Sequence, residues 1–159
     1  MYLTVKQQLK HLSKEEYLIL RELCHSAKNL YNQAVYNIRQ YYFDEGKYLN
    51  YVENNKLLKS SENYQILNSN MAQQILKEVD GAFKSFFRLL KLKSKGEYKE
   101  KVKLPKYLPK NSFTTLVVGF VRLNENTFIL PYSQSYKKNH RPIKINIPPL
   151  LLDKNIKEI

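Results

Sequence analysis

Apolar positions alternate at the start of the chain, recur every three or four residues through its middle, and alternate again near its end. In Tyr2–Leu9 the residues Leu3, Val5, Gln7 and Leu9 fall on one side and Thr4, Lys6 and Gln8 on the other. Period two predicts a strand with one buried face. Ser13-x-x-Glu16 follows at capping-box spacing, the signature of a helix start. Tyr17, Leu20, Cys24, Ala27, Leu30 or Tyr31, Ala34, Ile38 and Tyr41 then mark a helical stripe. They predict one helix of about 29 residues, ending near Asp44–Gly46, where glycine can take a left-handed cap. Asn50-x-x-Glu53 signals a short second helix through Lys59, followed by a polar break at Ser60–Asn63.

The third helix has the clearest pattern. Ser69 can cap it, and Ala72, Ile75, Leu76, Val79, Ala82, Phe83, Phe86 and Leu90 form a core stripe. Gln73, Lys77, Lys84, Arg88, Lys91 and Lys95 form a polar and basic stripe. At about 100° per residue the two stripes are well separated around the cylinder. Past Gly96 the chain continues into the extended segment Leu104-Pro105-Lys106-Tyr107-Leu108-Pro109. Phe113–Val121 is a β-branched, apolar run, Asn124-Glu125-Asn126 reads as a turn, and Thr127–Tyr132 as its partner strand. Arg141–Ile147 alternates again, with Ile143, Ile145 and Ile147 inward and Lys144 and Asn146 outward, until Pro148-Pro149 stops it. The tail Leu150–Ile159 shows no closing element, and Ile156–Ile159 resembles a strand beginning. A first strand separated from later strands by about 100 residues of mainly helical pattern predicts an α+β fold, a β-barrel or sheet with a helical insertion.

Composition sharpens this picture. At 159 residues with 43% apolar content and 20 Tyr plus Phe, the chain is long and apolar enough for a real core. Lone Cys24 excludes an internal disulfide and fits a reducing compartment. No apolar run approaches the roughly 20 residues of a membrane span, and Met1–Lys10 alternates where a signal peptide would have an apolar block. The expectation is a soluble, cytoplasmic protein with no membrane partner. Of its formal charge of +13, +8 lies between Lys84 and Lys110, where ten Lys and Arg face two Glu. Clustered charge of one sign is tolerated when a polyanion neutralises it, and nucleic acid is the commonest such partner. A solvated Lys-rich linker is the plainer account.

Catalytic chemistry is not evident. A metal-dependent hydrolase needs two or more converging carboxylates, yet the only aspartates are Asp44, Asp80 and Asp153, each in a setting that suits a structural role. Cys24 and His25 are neighbours, but adjacent helical residues diverge by about 100°, and Cys24 lies on the apolar stripe. No His or Cys spacing suits zinc, and four glycines build no phosphate loop. No cofactor and no small-molecule substrate are expected. On the binding side, Gln73, Gln74 and Lys77 can meet base edges from a helix in a groove. Lys84, Arg88, Lys91 and Lys95 can track phosphates. Lys99, Lys101, Lys103 and Lys106 can follow a backbone while Tyr98 or Tyr107 stacks on bases. Tyr31, Tyr36, Tyr41 and Tyr42 can add to that surface, although a core role is equally open to each.

Several strings, in order, resemble the N-terminal half of TnpB (OrfB) transposon proteins. They are Leu3-Thr4-Val5-Lys6, His25-Ser-Ala-Lys-Asn-Leu-Tyr-Asn32 running on to Arg39, Met71–Arg88 with its Ala82-Phe-Lys-Ser-Phe-Phe87 ending, and Leu104-Pro105-Lys106-Tyr107. That resemblance implies an oligonucleotide-binding-like split barrel, its first strand in 1–12, a helical recognition insertion of about three helices in 13–95, and the remaining wedge strands in 96–149. Residues 150–159 would lead into a RuvC-like nuclease domain. The Gly-Ile-Asp-type strand and Cys pairs of that domain have no counterpart here, and Asp153 lacks the context of a catalytic acid. The implied function is binding of DNA and a structured guide RNA without cleavage. The rivals are a stand-alone regulator of transposition and an interaction fragment that needs a C-terminal partner.

Overall fold

Local capping chemistry sets most helix ends in the computed structural model, which describes residues 2–159. The first helix, α1, is Lys14–Glu45. At its start the Glu16 N–H donates to the Ser13 hydroxyl (3.1 Å) and the Ser13 N–H to the Glu16 carboxylate (2.8 Å). At its end Gly46, at φ 65°, donates its N–H to the Tyr42 carbonyl. Asn50 and Glu53 form the same reciprocal box on α2, Tyr51–Leu58. A further short helix, α3, Glu62–Ile66, starts inside the Ser60–Asn63 stretch that the pattern marks as a break, and its cap is the Ser61 hydroxyl. The helical region therefore holds four helices where three were expected. The last of them, α4, spans Ser69–Ser94 and is capped by Asn68, one residue earlier than expected. Asn68 stands at an extended N-cap position, where its side-chain oxygen accepts the Asn70 N–H.

Core packing follows α4 as its pattern predicts, and α1 less closely. Ala72, Ile75, Leu76, Val79, Phe83 and Phe86 are buried, with Ala82 and Leu90 half-buried. On α1 the buried line is Ile19, Leu23, Ala27, Leu30, Ala34 and Ile38, while Tyr17 is 56% exposed and Leu20 and Cys24 are half-buried. The sequence carries two overlapping stripes here. The one with Ile19 and Leu23 removes more apolar area from water, and Tyr17 keeps its hydroxyl wet. Tyr42 and Tyr48 meet Phe87 edge-on at 5.1 and 5.3 Å between centroids, joining the end of α1 to α4. Buried Asn54 holds α2 on α1 by donating to the Ala34 carbonyl and accepting from Asn37.

The strands are β1 Leu123–Asn124, β2 Thr127–Ile129 and β3 Lys144–Asn146, in one antiparallel sheet of that order. Glu125, at φ 53°, makes the tight turn of the β1–β2 hairpin. Ile143 and Ile147 are buried, Ile145 is half-buried, and Lys144 and Asn146 face outward, as the alternation requires. Between β2 and β3 lies α5, Gln134–Lys137, which the pattern does not announce. Its Tyr136 is buried and donates its hydroxyl to Glu22 of α1. One hydrophobic cluster runs from Ile19 to Ile147 through both the helices and the sheet.

The fold is α+β, but two expected strands are not formed. Tyr2–Lys10 is assigned no strand, and Tyr2 and Leu3 are more than 80% exposed. Alternation sorts side chains between two faces, but a strand forms only when the backbone itself pairs with a neighbour. The segment reaches the sheet through the Gln7 amide, which donates to the Asn146 carbonyl at 2.8 Å. Phe113–Val121 forms no strand and bends at Gly119 and Phe120, and its backbone is shared among unlike partners. Thr114 N–H donates to Cys24 of α1, Gly119 N–H to the Asn70 side chain, and Val118 exchanges two hydrogen bonds with Ile159. Three short strands in an open sheet do not close a barrel. No described helix is long and apolar enough to cross a membrane.

Candidate nucleic-acid interface

Lys77, Lys84, Arg88 and Lys91 of α4, with Lys95 at its C-cap, all project into solvent. At about 100° per residue they share a sector of roughly 60°, over about 27 Å of helix length. The apolar stripe on the opposite side anchors α4 in the core, so the cations are left no choice of face. One acid intrudes on them. Asp80 is only 6% exposed. It accepts the Tyr48 hydroxyl and the Tyr51 N–H, and pairs with the Lys84 ammonium at 2.7 Å. Lys84 is thus partly neutralised. Lys77 lies 5.9 Å from the centre of the Tyr51 ring.

The glutamines separate from this group. Gln73 and Gln74 are half-buried. Gln74 lies so close to Gly119 that a Cβ there would overlap its amide, and Asn70 fixes Gly119 by accepting its N–H at 2.9 Å. Gln74 therefore packs against the 113–121 segment and does not stand free for a base edge.

Beyond α4, Gly96 at φ 74° redirects the chain, and the Lys93 ammonium donates to the Glu100 carbonyl at 3.2 Å. The next residues alternate: Val102 and Leu104 pack toward the core while Lys99, Lys101, Lys103 and Lys106 are exposed. The segment is then fastened along α1. The Asn32 amide donates to the Leu108 carbonyl (2.9 Å) and its oxygen accepts the Leu108 N–H (2.8 Å). Lys28, 3% exposed, donates to the Lys110 carbonyl at 2.8 Å. Tyr107 is thereby presented at the surface, 42% exposed, with the Arg39 guanidinium 5.0 Å from its ring centre.

Two groups missed by sequence reasoning are Asn32, which holds the segment, and Arg39, which faces Tyr107. Spacing from Asn32 through Tyr36 and Arg39 to Phe43 marks one helix face, but nothing local shows that Tyr107 would lie across it. Of Tyr31, Tyr36, Tyr41 and Tyr42 on α1, only Tyr36 is exposed. Tyr31 and Tyr41 pack on the core, and Tyr42 joins the Phe86–Phe87 cluster. Tyr98 is half-buried. Burial raises the Cys24 thiol above its ordinary range, and burial followed by the hydrogen bond to Asp80 raises the Tyr48 hydroxyl. Among the described residues no group of three His, Cys, Asp or Glu side chains converges to hold a metal ion. No family model matches the chain, and no curated protein matches it. The likeness to TnpB proteins rests on the strings quoted above.

Proposed function

We propose that this chain binds nucleic acid through the basic face of α4 and the adjoining Lys99–Lys106 segment, and does not itself cleave it. The observation that carries this reading is the sector of five exposed cations, four on α4 and Lys95 at its C-cap, with Asp80 the acid paired among them. Point charges on a rigid helix suit phosphates, which lie along DNA at about one per 1.7 Å of axis, and carry little sequence information. Anisotropy titrations of a labelled duplex across a range of salt test it. If six phosphates are engaged, log K should fall against log salt with a slope of roughly −5. Substituting Lys84, Arg88 and Lys91 together with Gln should weaken all sequences alike. An affinity insensitive to salt would remove the proposal.

The TnpB-like identity belongs to the same proposal: DNA and guide RNA as partners, a cytoplasmic setting consistent with free Cys24, and a wedge-like division at 1–12, 13–95 and 96–149. Its split barrel would require Tyr2–Leu9 and Phe113–Val121 to join the sheet. Slow hydrogen exchange of their amides on RNA binding would support that step; unchanged fast exchange would count against it. A second reading, an interaction fragment, draws on the outer edge of β3 and on the exposure of Tyr2 and Leu3 in the segment whose Gln7 meets it. It expects little nucleic-acid affinity in the absence of a protein partner.

A further inference from the structure

A different face of the molecule carries arginine–aromatic pairs that the α4 reading does not use. Arg21 and Arg39 stand 18 residues apart on α1. That is about five turns, so they share one azimuth about 27 Å apart. Arg39 lies 5.0 Å from the Tyr107 ring centre and 5.9 Å from that of Phe43. Arg21 lies 5.9 Å from that of Phe113, which also meets His25 edge-on. The rings are open to solvent: Phe43 is 56%, Phe113 48% and Tyr107 42% exposed. Among the described residues neither guanidinium has a hydrogen-bond or ion-pair partner, and Glu22, beside Arg21 in sequence, is engaged by Tyr136.

We propose that this face of α1, with Tyr107–Phe113 laid along it, is a track for an unpaired nucleic-acid strand. The proposal rests on the nucleic-acid reading above and adds the substrate class. An exposed ring with a guanidinium beside it offers a base a stacking face and a phosphate a planar donor. Only an unpaired strand has base faces to give, because a duplex spends them on its own stacking. Both ring clusters are held before binding, since Asn32 and Lys28 fasten the segment that bears Tyr107 and Phe113. Ordering is therefore largely complete in advance. Exposed Lys106 and Lys110 lie on the same segment and supply phosphate contacts. At about 3.4 Å per stacked nucleotide, 27 Å accommodates about eight.

The test compares a labelled oligothymidylate about 12 nucleotides long with a duplex of equal length, both on the full chain. Phe43→Leu, Tyr107→Leu and Phe113→Leu keep apolar bulk and remove the ring. Each should weaken the oligothymidylate about fivefold or more and leave duplex affinity within about twofold. Arg39→Lys, which keeps charge without the planar face, should weaken the single strand more than the duplex. Ultraviolet cross-linking of the unaltered protein to a thiouridine oligonucleotide gives a measure independent of variant folding. Adducts at Phe43, Tyr107 or Phe113 support the track; adducts confined to α4 overturn it. Duplex binding with a single strand indifferent to ring loss overturns the track and leaves the α4 reading standing. Binding of neither nucleic acid overturns the α4 reading itself.

Discussion

Asp80 couples the stability of the helical region to the charge of its surface, and the two effects should move in opposite directions. The Tyr51 N–H belongs to the first residue of α2 and has no partner within that helix. The Asp80 carboxylate accepts it at 3.0 Å, accepts the Tyr48 hydroxyl, and so ties α2 and the preceding loop to α4. Asp80→Ala removes both bonds. Hydrogen bonds to a charged group contribute about 1.5–3 kcal/mol each, and the lower figure applies where a donor can turn to water, giving about 3 kcal/mol in all. The ion pair adds little, no more than about 0.5 kcal/mol, because the Lys84 side chain is 66% exposed. Asp80→Asn retains an acceptor and should cost about 1–2 kcal/mol. Urea unfolding followed by circular dichroism should rank the variants in that order with unchanged m-values. Both substitutions free Lys84, so folded Asp80→Asn should bind duplex more tightly at low salt, its slope steeper by about 0.9. An Asp80→Ala protein within about 1 kcal/mol of the parent would refute the tethering argument. Weaker binding by folded Asp80→Asn would refute the electrostatic one.

Asn32→Ala should release the basic segment, losing two backbone contacts worth about 2 kcal/mol. Faster exchange at Leu108 and faster tryptic cleavage at Lys106 and Lys110 would report it, and unchanged rates would deny the clamp. Gly119→Ala should change stability by less than about 1 kcal/mol, because the flexible end of Gln74 can give way, and adding Gln74→Ala should erase even that change. Burial, then hydrogen bonds to Asp80 and Glu22, raise the Tyr48 and Tyr136 hydroxyls above the ordinary tyrosine range. Raised values in the folded state mean full stability below about pH 10 and loss as pH climbs past it. Tyr48→Phe and Tyr136→Phe together should flatten that alkaline decline in a denaturation series.

Much of the helical architecture was readable because its signals are short. The Ser13–Glu16 and Asn50–Glu53 boxes act over three residues, and the stripe from Ala72 to Phe86 repeats within one helix. The basic stripe of α4 was legible for the same reason. Burying one side of an amphipathic helix leaves its charged side in water. Alpha3 and α5 were missed because helices of five and four residues show too little periodicity to read. Asn68 was passed over for Ser69 because either residue type can cap.

What the sequence determined by itself were elements whose energies lie within a turn or two: caps, periods, the glycine-ended α1 and the alternation of β3. Tertiary structure decided the rest. It chose the Ile19–Leu23 line of α1 over the Tyr17–Cys24 line, since larger aliphatic area lay on that side. It left Tyr2–Leu9 without a ladder, since the bond to β3 is made by the Gln7 side chain and not by backbone. It drew Gln74 into packing, half-neutralised Lys84 through Asp80, and laid Tyr107 beside Arg39, 68 positions away in the chain. Contacts of that separation depend on how distant faces meet, and no local pattern holds that information.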